Sequence, residues 1–204
     1  AGKGSLPWNH PHNLGSIGVT GSSAANSAAQ AADLVVGLGT RLQDFTTGSR
    51  SLFPDARLFQ VNLQPFDAHK HGAAPVVGDA RVVLAALRER LAGWRVARDV
   101  QDADAAALAR WNTDVQAATA GAADMRLPSD AQVIGAVQGS VDDDAVVVCA
   151  AGGLPGELHK LWRCARPGGY HLEYGYSCMG YEIAGALGVK LAQPDRQVVV
   201  MVGD

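Results

Sequence analysis

Leu34-Val35-Val36-Gly37-Leu38-Gly39 is an apolar run of strand length that stops on glycine, and the Ala-rich segment from Ala24 to Ala32 before it is helix-forming. Arg57-Leu58-Phe59-Gln60-Val61-Asn62-Leu63 repeats the pattern and ends at Gln64-Pro65, where proline cannot continue a central ladder. Val76-Val77-Gly78-Asp79 is a third, shorter run. Asp79 then stands where it can cap a helix whose apolar face is Val83, Leu84, Leu87 and Leu91, stopped near Gly93. Buried runs alternating with helical patterns predict strand–helix units on a parallel sheet. The first part of the chain reads as a Rossmann-like α/β domain.

From Trp94 to Pro128 the composition shifts to Ala, Asp and Arg without a strand signal, and one helix around Ala105 to Ala118 is expected to bury Leu108, Trp111 and Val115. A second unit opens at Leu127-Pro128-Ser129-Asp130, with Ser129 or Asp130 as N-cap of a helix ending near Gly139. Ala145-Val146-Val147-Val148-Cys149 is a strand entering the turn Gly152-Gly153; a helix from about Glu157 to Cys164 and an extended piece from Tyr170 to Glu173 follow. Met179 to Leu191 carries Ile183, Leu187 and Leu191 at helical spacing, and Gly180, Ala184, Gly185 and Gly188 on the same element permit close approach of backbone or ligand. Gln197-Val198-Val199-Val200-Met201-Val202-Gly203-Asp204 is a strand that reaches its turn. The reading gives a first domain over 1–93, a connector over 94–128 and a second domain from 129 to 204. With no initiator Met and a strand pattern at its close, the chain is expected to be part of something longer.

Composition narrows the function classes. The 204 residues are 48% hydrophobic and 18% charged, with 24 glycines and a net charge of −3, so a core is available and no broad basic surface points to nucleic acid or anionic membrane. No apolar run approaches the ~18 residues of a membrane-spanning helix. Cys149, Cys164 and Cys178 form no Cys-x-x-Cys and cannot all pair, which favours reduced thiols and a cytoplasmic location.

Several motifs read as ordinary structure. Gly37-Leu38-Gly39 starts like a dinucleotide-binding turn, but Leu42 stands where the third glycine belongs, and Asn62 and Gln64 stand where a ribose-binding acid belongs. His10-Pro11-His12 and His69-Lys70-His71 lack the accompanying ligands of a metal site. Cys149 reads as a small core residue; Cys178, in a Gly-rich loop at a helix start, is placed where a thiolate gains support, but no Ser/Cys–His–Asp arrangement accompanies it to make a nucleophile. Glu157, Glu173 and Glu182 read as solvated or capping groups.

Three turns in the second unit carry more. Ala151-Gly152-Gly153 lies between a strand and a helix, where backbone N–H groups face an anion; Ser177-Cys178-Met179-Gly180 offers polar backbone with one large apolar side chain; Gly203-Asp204 offers a carboxylate at a strand's carboxyl edge. Ligands of parallel sheets collect at that edge, and Mg²⁺ held with phosphates uses one or two carboxylates. Together these turns describe a diphosphate–metal pocket.

The stretch Cys178-Met179-Gly180-Tyr181-Glu182-Ile183-Ala184-Gly185-Ala186-Leu187-Gly188-Val189-Lys190-Leu191-Ala192, followed by Pro194-Asp195-Arg196 and the strand to Gly203-Asp204, resembles the diphosphate-binding domain of thiamine-diphosphate enzymes. Gly2-Lys3-Gly4 to Pro7, His10-Pro11, Gly21, Ala25-Asn26, Asp33-Leu34 and Gly39-Thr40-Arg41 resemble that family's central domain. Gly15 to Gly21, Thr40 to Ser49 and Glu173 to Glu182 are most similar to the branch that opens cyclic 1,2-diones in myo-inositol catabolism, the trihydroxycyclohexane-1,2-dione hydrolases. Glu182-Ile183-Ala184 departs from the acetolactate-synthase pattern. A carboligase of that kind and a non-catalytic nucleotide-binding module are the alternatives.

The resemblance implies thiamine diphosphate and Mg²⁺ as cofactors. Gly152, Gly153 and Leu154 would line the diphosphate with Gly203, and Asp204 would ligate the metal. The Ser177 carbonyl and Met179 backbone would meet the aminopyrimidine, beside Gly180, with the Met179 side chain wedged under the cofactor. It further implies that the glutamate protonating the pyrimidine lies in an N-terminal domain contributed by a neighbouring subunit. The active enzyme would then be a homodimer or larger, and residues 1–204 alone would be inactive.

Overall fold

The computed structural model describes residues 2–121, 127–173 and 175–203, which form two compact α/β units. One unit comprises Ile17–Val19 and Ser23–Ala107; the other comprises the described residues within 1–16, 20–22 and 108–204. No helix among the described residues is long and apolar enough to cross a membrane.

The first unit runs α1 (Ser23–Ala31), β1 (Leu34–Leu38), α2 (Asp44–Thr47), β2 (Arg57–Asn62), α3 (Pro65–Ala68), β3 (Ala74–Val77) and α4 (Ala80–Arg90). Its sheet has the order β1-β2-β3 and is parallel throughout, with Gly37 opposite Gln60 and Val61 opposite Val76. The expected alternation of strand and helix is therefore present. Gly37 has a packing reason: a Cβ there would lie 2.8 Å from the Gln60 side-chain oxygen. Asn62 ties two strand exits together, donating to the Thr40 carbonyl at 2.9 Å and accepting from the Gln64 N–H at 3.0 Å. Asp79 caps α4 by accepting from the N–H groups of Arg81 and Val82. The apolar face assigned to that helix is not a buried one: Leu84 and Leu91 are exposed, and Val83 and Leu87 are half-buried.

Helix α5 (Arg98–Thr119) is longer than the connector helix expected from sequence; it buries Val115 and half-buries Leu108 and Trp111. The second unit continues with α6 (Asp130–Gln138), β4 (Val146–Cys149), α7 (Gly153–Leu161), β5 (Tyr170–Leu172), α8 (Tyr181–Ala192) and β6 (Val198–Val200). Ser129 caps α6 in a full capping box with Gln132. The sheet order β5-β4-β6 puts β4 at the centre, parallel to both neighbours. Val147 and Cys149 point to one core with Ile134, Leu158 and Trp162, and Val146 and Val148 point to the other face with Ala186. Residues 2–16 pack in this unit: the Trp8 N–H donates to the Cys164 carbonyl at 2.9 Å, and the Arg163 guanidinium lies 4.5 Å from the Trp8 ring centroid.

Two helix expectations need correction. Helix α7 begins at Gly153, four residues before the expected Glu157, because Gly152, Gly153 and Pro155 supply an N-terminal turn that the sequence reading took as loop. Helix α8 starts at Tyr181, and Ile183, Leu187 and Leu191 on it are exposed; its buried residues are Glu182 and Ala186, with Val189 packed beside them. Small residues bring this helix close to the sheet, while the larger apolar side chains face outward.

Candidate functional site

Central strand β4 is buried along its whole length and delivers the chain to Gly152 at the carboxyl edge of the sheet. Gly152 has φ 133°, a left-handed value that a side chain rarely adopts, and it is the N-cap of α7. No side chain caps this helix. Pro155 has no N–H, and the Gly156 N–H returns to the Gly152 carbonyl at 3.2 Å, so the N–H groups of Gly153 and Leu154 head the helix dipole. A Cβ on Gly153 would meet nothing within 4 Å, which leaves this end open to a ligand. Strand β6 exits beside it: the Met201 N–H donates to the Val148 carbonyl at 3.0 Å, and a Cβ on Gly203 would lie 3.6 Å from Pro155 Cδ. The structure thus brings Gly152, Gly153, Leu154 and Gly203 together. Asp204, the expected metal ligand, lies outside the described residues.

The third exit, from β5, is organised by Glu173. Its carboxylate accepts from the Cys178 N–H at 2.7 Å and the Tyr176 N–H at 3.0 Å, and these bonds, Cys178 first, hold its pKa below the usual carboxylate range. Within the loop Ser177 is left-handed, with φ 52°, and its carbonyl accepts from the Met179 N–H at 3.0 Å. Gly180, with φ 93°, is the N-cap of α8, and its N–H donates to the buried Glu182 carboxylate at 3.1 Å. The Met179 side chain stands 78% exposed on this turn, an apolar group facing out from the protein. Ser177, Met179 and Gly180 therefore form a second cluster at the same sheet edge. Glu157 pairs with Lys160 at 2.8 Å. The thiolate reading of Cys178 is corrected: desolvation and then the Glu173 charge push its pKa up, the reverse of activation.

Residues 1–87 match the family "Thiamine pyrophosphate enzyme, central domain", and residues 150–204 match "Thiamine pyrophosphate enzyme, C-terminal TPP binding domain". The chain belongs to the thiamine pyrophosphate enzymes. Over its whole length it is 45% identical to a 3D-(3,5/4)-trihydroxycyclohexane-1,2-dione hydrolase of Geobacillus thermodenitrificans, of which it covers 35%. Proteins of the same name from Bacillus cereus and Clostridium perfringens are 42% and 40% identical, and the chain covers 36% of each. The chain thus spans about a third of the length of these curated relatives.

The residues present fit the diphosphate end of this family's cofactor. An uncapped helix N-terminus at a central strand exit, flanked by glycines where an added Cβ would meet nothing closer than Pro155 at 3.5 Å, has the form of a cradle for a polyanion. Among the described residues no group of three His, Cys, Asp or Glu side chains is placed to hold a metal ion. His12 N–H donates to His10 Nδ1 at 3.2 Å, and the His69 and His71 rings bond the carbonyls of Pro65 and Leu42.

One cluster of buried titratable groups escaped sequence reasoning. Burial lowers the Lys3 pKa to about 8, and its Nζ lies 5.4 Å from the Tyr170 ring centroid. His159, lowered to about 4 by burial and then by the Lys3 charge, shares a 2.9 Å hydrogen bond with the Thr20 hydroxyl. The Cys149 thiol, raised to about 11 by burial, donates to the Tyr170 hydroxyl at 3.3 Å. The one local signal was Gly4, with φ 83°, where a Cβ would come 3.0 Å from Cys164 Sγ: the glycine lets Lys3 enter the unit.

Proposed function

We propose that residues 1–204 contribute the central domain and the diphosphate-binding part of a hydrolase that opens the ring of trihydroxycyclohexane-1,2-dione to a 5-deoxyuronic acid in inositol catabolism. The boundaries of this reading are 1–93 for the central domain, 94–128 for the connector and 129–204 for the diphosphate-binding part, and the matches over 1–87 and 150–204 support them. The observation that carries it is the uncapped N-terminus of α7, open at Gly153 and packed at Pro155 against Gly203.

In this reading the N–H groups of Gly153 and Leu154 donate to the cofactor's diphosphate, Gly152 and Gly203 allow close approach, and Asp204 ligates Mg²⁺. When bound, thiamine diphosphate supplies an electron sink for C–C bond cleavage. The Ser177 carbonyl, which keeps one lone pair beside the bond from Met179 N–H, accepts from the aminopyrimidine, and the Met179 backbone meets the same ring. The Met179 side chain supports the cofactor from below, and Gly180 keeps the backbone close. Glu173 holds the loop that presents these groups. The enzyme works in the cytoplasm as a homodimer or larger, on a small cyclic dione.

Two measurements test this. Gly153→Asp keeps a helix-compatible residue at N1 and adds a charge that opposes a diphosphate, so the fold should be retained while calorimetric affinity for thiamine diphosphate with Mg²⁺ falls by roughly tenfold or more. Unchanged affinity would remove α7 from the site. Replacing the matching segment of the Geobacillus relative by this chain should preserve ring opening of the dione; acetolactate formation from pyruvate in its place would assign the chain to the carboligases.

A further inference from the structure

The first unit holds a cleft on the side of its sheet away from the strand exits. Arg57 and Leu58 begin β2 and Ala74 begins β3, so the cleft sits at the amino edge. Its volume is about 360 Å³, within the range of small-ligand sites. Arg50, Arg57 and His71 line it with Phe53 and Leu58, and no acidic side chain does. Among the described residues neither guanidinium has an ion pair or side-chain hydrogen bond, whereas nearby Arg41 and Lys70 both approach Asp67, at 3.8 and 3.7 Å. Neither cleft arginine has an acid as partner among the described residues, although Arg41 and Lys70 close by do.

Backbone strain points to the same place. Arg50 has φ 68° and His71 has φ 58°, left-handed values that favour glycine, yet each position carries a long polar side chain directed to the cleft. The Arg50 conformation is held by structure: its N–H donates to the hydroxyl of buried Thr47 at 3.1 Å, and that hydroxyl donates to the Asp44 carbonyl at 3.3 Å. The His71 ring is fixed by its Nε2 bond to the Leu42 carbonyl at 2.9 Å. Two unpaired guanidinium forks beside an apolar wall suit a phosphate attached to an apolar body.

We propose that this amino-edge cleft binds a phosphomonoester with an apolar body, the phosphate between Arg50 and Arg57 and the body against Phe53 and Leu58. It is separate from the anion cradle at α7, which belongs to the other unit. The probe is phenyl phosphate, titrated into the full 204-residue chain in the presence of saturating thiamine diphosphate and Mg²⁺ to block that cradle. The expected result is a dissociation constant below about 1 mM, tighter than for inorganic phosphate and for benzoate. Arg57→Ala should weaken it roughly tenfold, and Arg41→Ala should not change it. Arg50→Gly should raise the melting temperature, by relieving a left-handed arginine, while binding falls. Binding absent in the parent, unchanged in Arg50→Gly and Arg57→Ala, or stronger for benzoate would overturn the proposal. A separate titration of the same variants with thiamine diphosphate and Mg²⁺ reads the cradle alone, so failure of the cradle and failure of the cleft give different outcomes.

Discussion

Strands β1 and β4 are both short valine-rich runs in the middle of strand–helix units, yet their environments differ. Along β4 all four residues are buried, with Val147 and Cys149 on one core and Val146 and Val148 on the other. Along β1, Val35 packs on the Leu42, Leu52 and Phe53 cluster, while Leu34, Val36 and Leu38 remain 46%, 44% and 41% exposed. An apolar run specifies a strand; what lies against each face decides its worth, and only β4 is covered on both. In the proposed function that strand also bears the cofactor cradle at its exit, so the buried element and the ligand-binding turn are continuous.

The largest effect expected from this difference is on stability. Val147→Asp places a charge in a closed core and should cost at least about 4 kcal/mol, enough to unfold the second unit. Val36→Asp should cost about 1 kcal/mol or less, the size of a strand-propensity change. Urea denaturation of both variants tests the contrast, and equal losses would show that β1 is covered as fully as β4.

Next in size is a pH effect confined to the second unit. His159 has a folded pKa of about 4 against an unfolded 6.5, so the unfolded chain binds more protons between those values. Stability therefore rises with pH through that window and is lost as pH falls through it, by up to about 3 kcal/mol when both limits are crossed. His159→Gln should flatten this limb relative to the parent while leaving the Val36→Asp difference untouched. A parent and variant with the same slope from pH 6.5 down to 4 would mean that the imidazole is solvated.

Helix α8 gives a smaller contrast, also readable in urea. Ala186 is 4% exposed against Val146 and Val148, so Ala186→Leu should overpack and cost about 1–3 kcal/mol. Leu187, its neighbour, is 61% exposed, and Leu187→Ala should stay within about 0.5 kcal/mol.

These helix faces also show where sequence was legible. Strand positions, the Asp79 cap and the Ser129 capping box were readable because each is decided within a few residues. The glycine turn at Gly152-Gly153 was readable for the same reason. The buried stripe of α8 was not: Ile183, Leu187 and Leu191 form the stronger periodic pattern, but Glu182 is buried because its carboxylate caps Gly180, and Ala186 because the sheet comes close there. Beyond the glycine at position 4, Lys3 gave no signal, since its partners Tyr170 and His159 lie more than a hundred residues away in the chain and meet it only through tertiary packing.

The smallest stability effect should come from the residue on which the proposed site depends most visibly. Met179 is 78% exposed, so its side chain contributes little to folding, and Met179→Ala should change stability by no more than about 0.5 kcal/mol. A solvent-facing apolar side chain on a turn fixed by Glu173 and Gly180 has, in the proposed function, the cofactor as its packing partner. Met179→Ala should then lower kcat of the chimeric enzyme strongly, and Met179→Leu, which nearly conserves volume, should be mild. The backbone bonds from Cys178 and Tyr176 to Glu173 do not involve the Met179 side chain, so the loop persists in both variants. Equal and small effects on kcat from the two substitutions would make Met179 an ordinary surface residue, and a large loss of stability in Met179→Ala would place its side chain in a core instead.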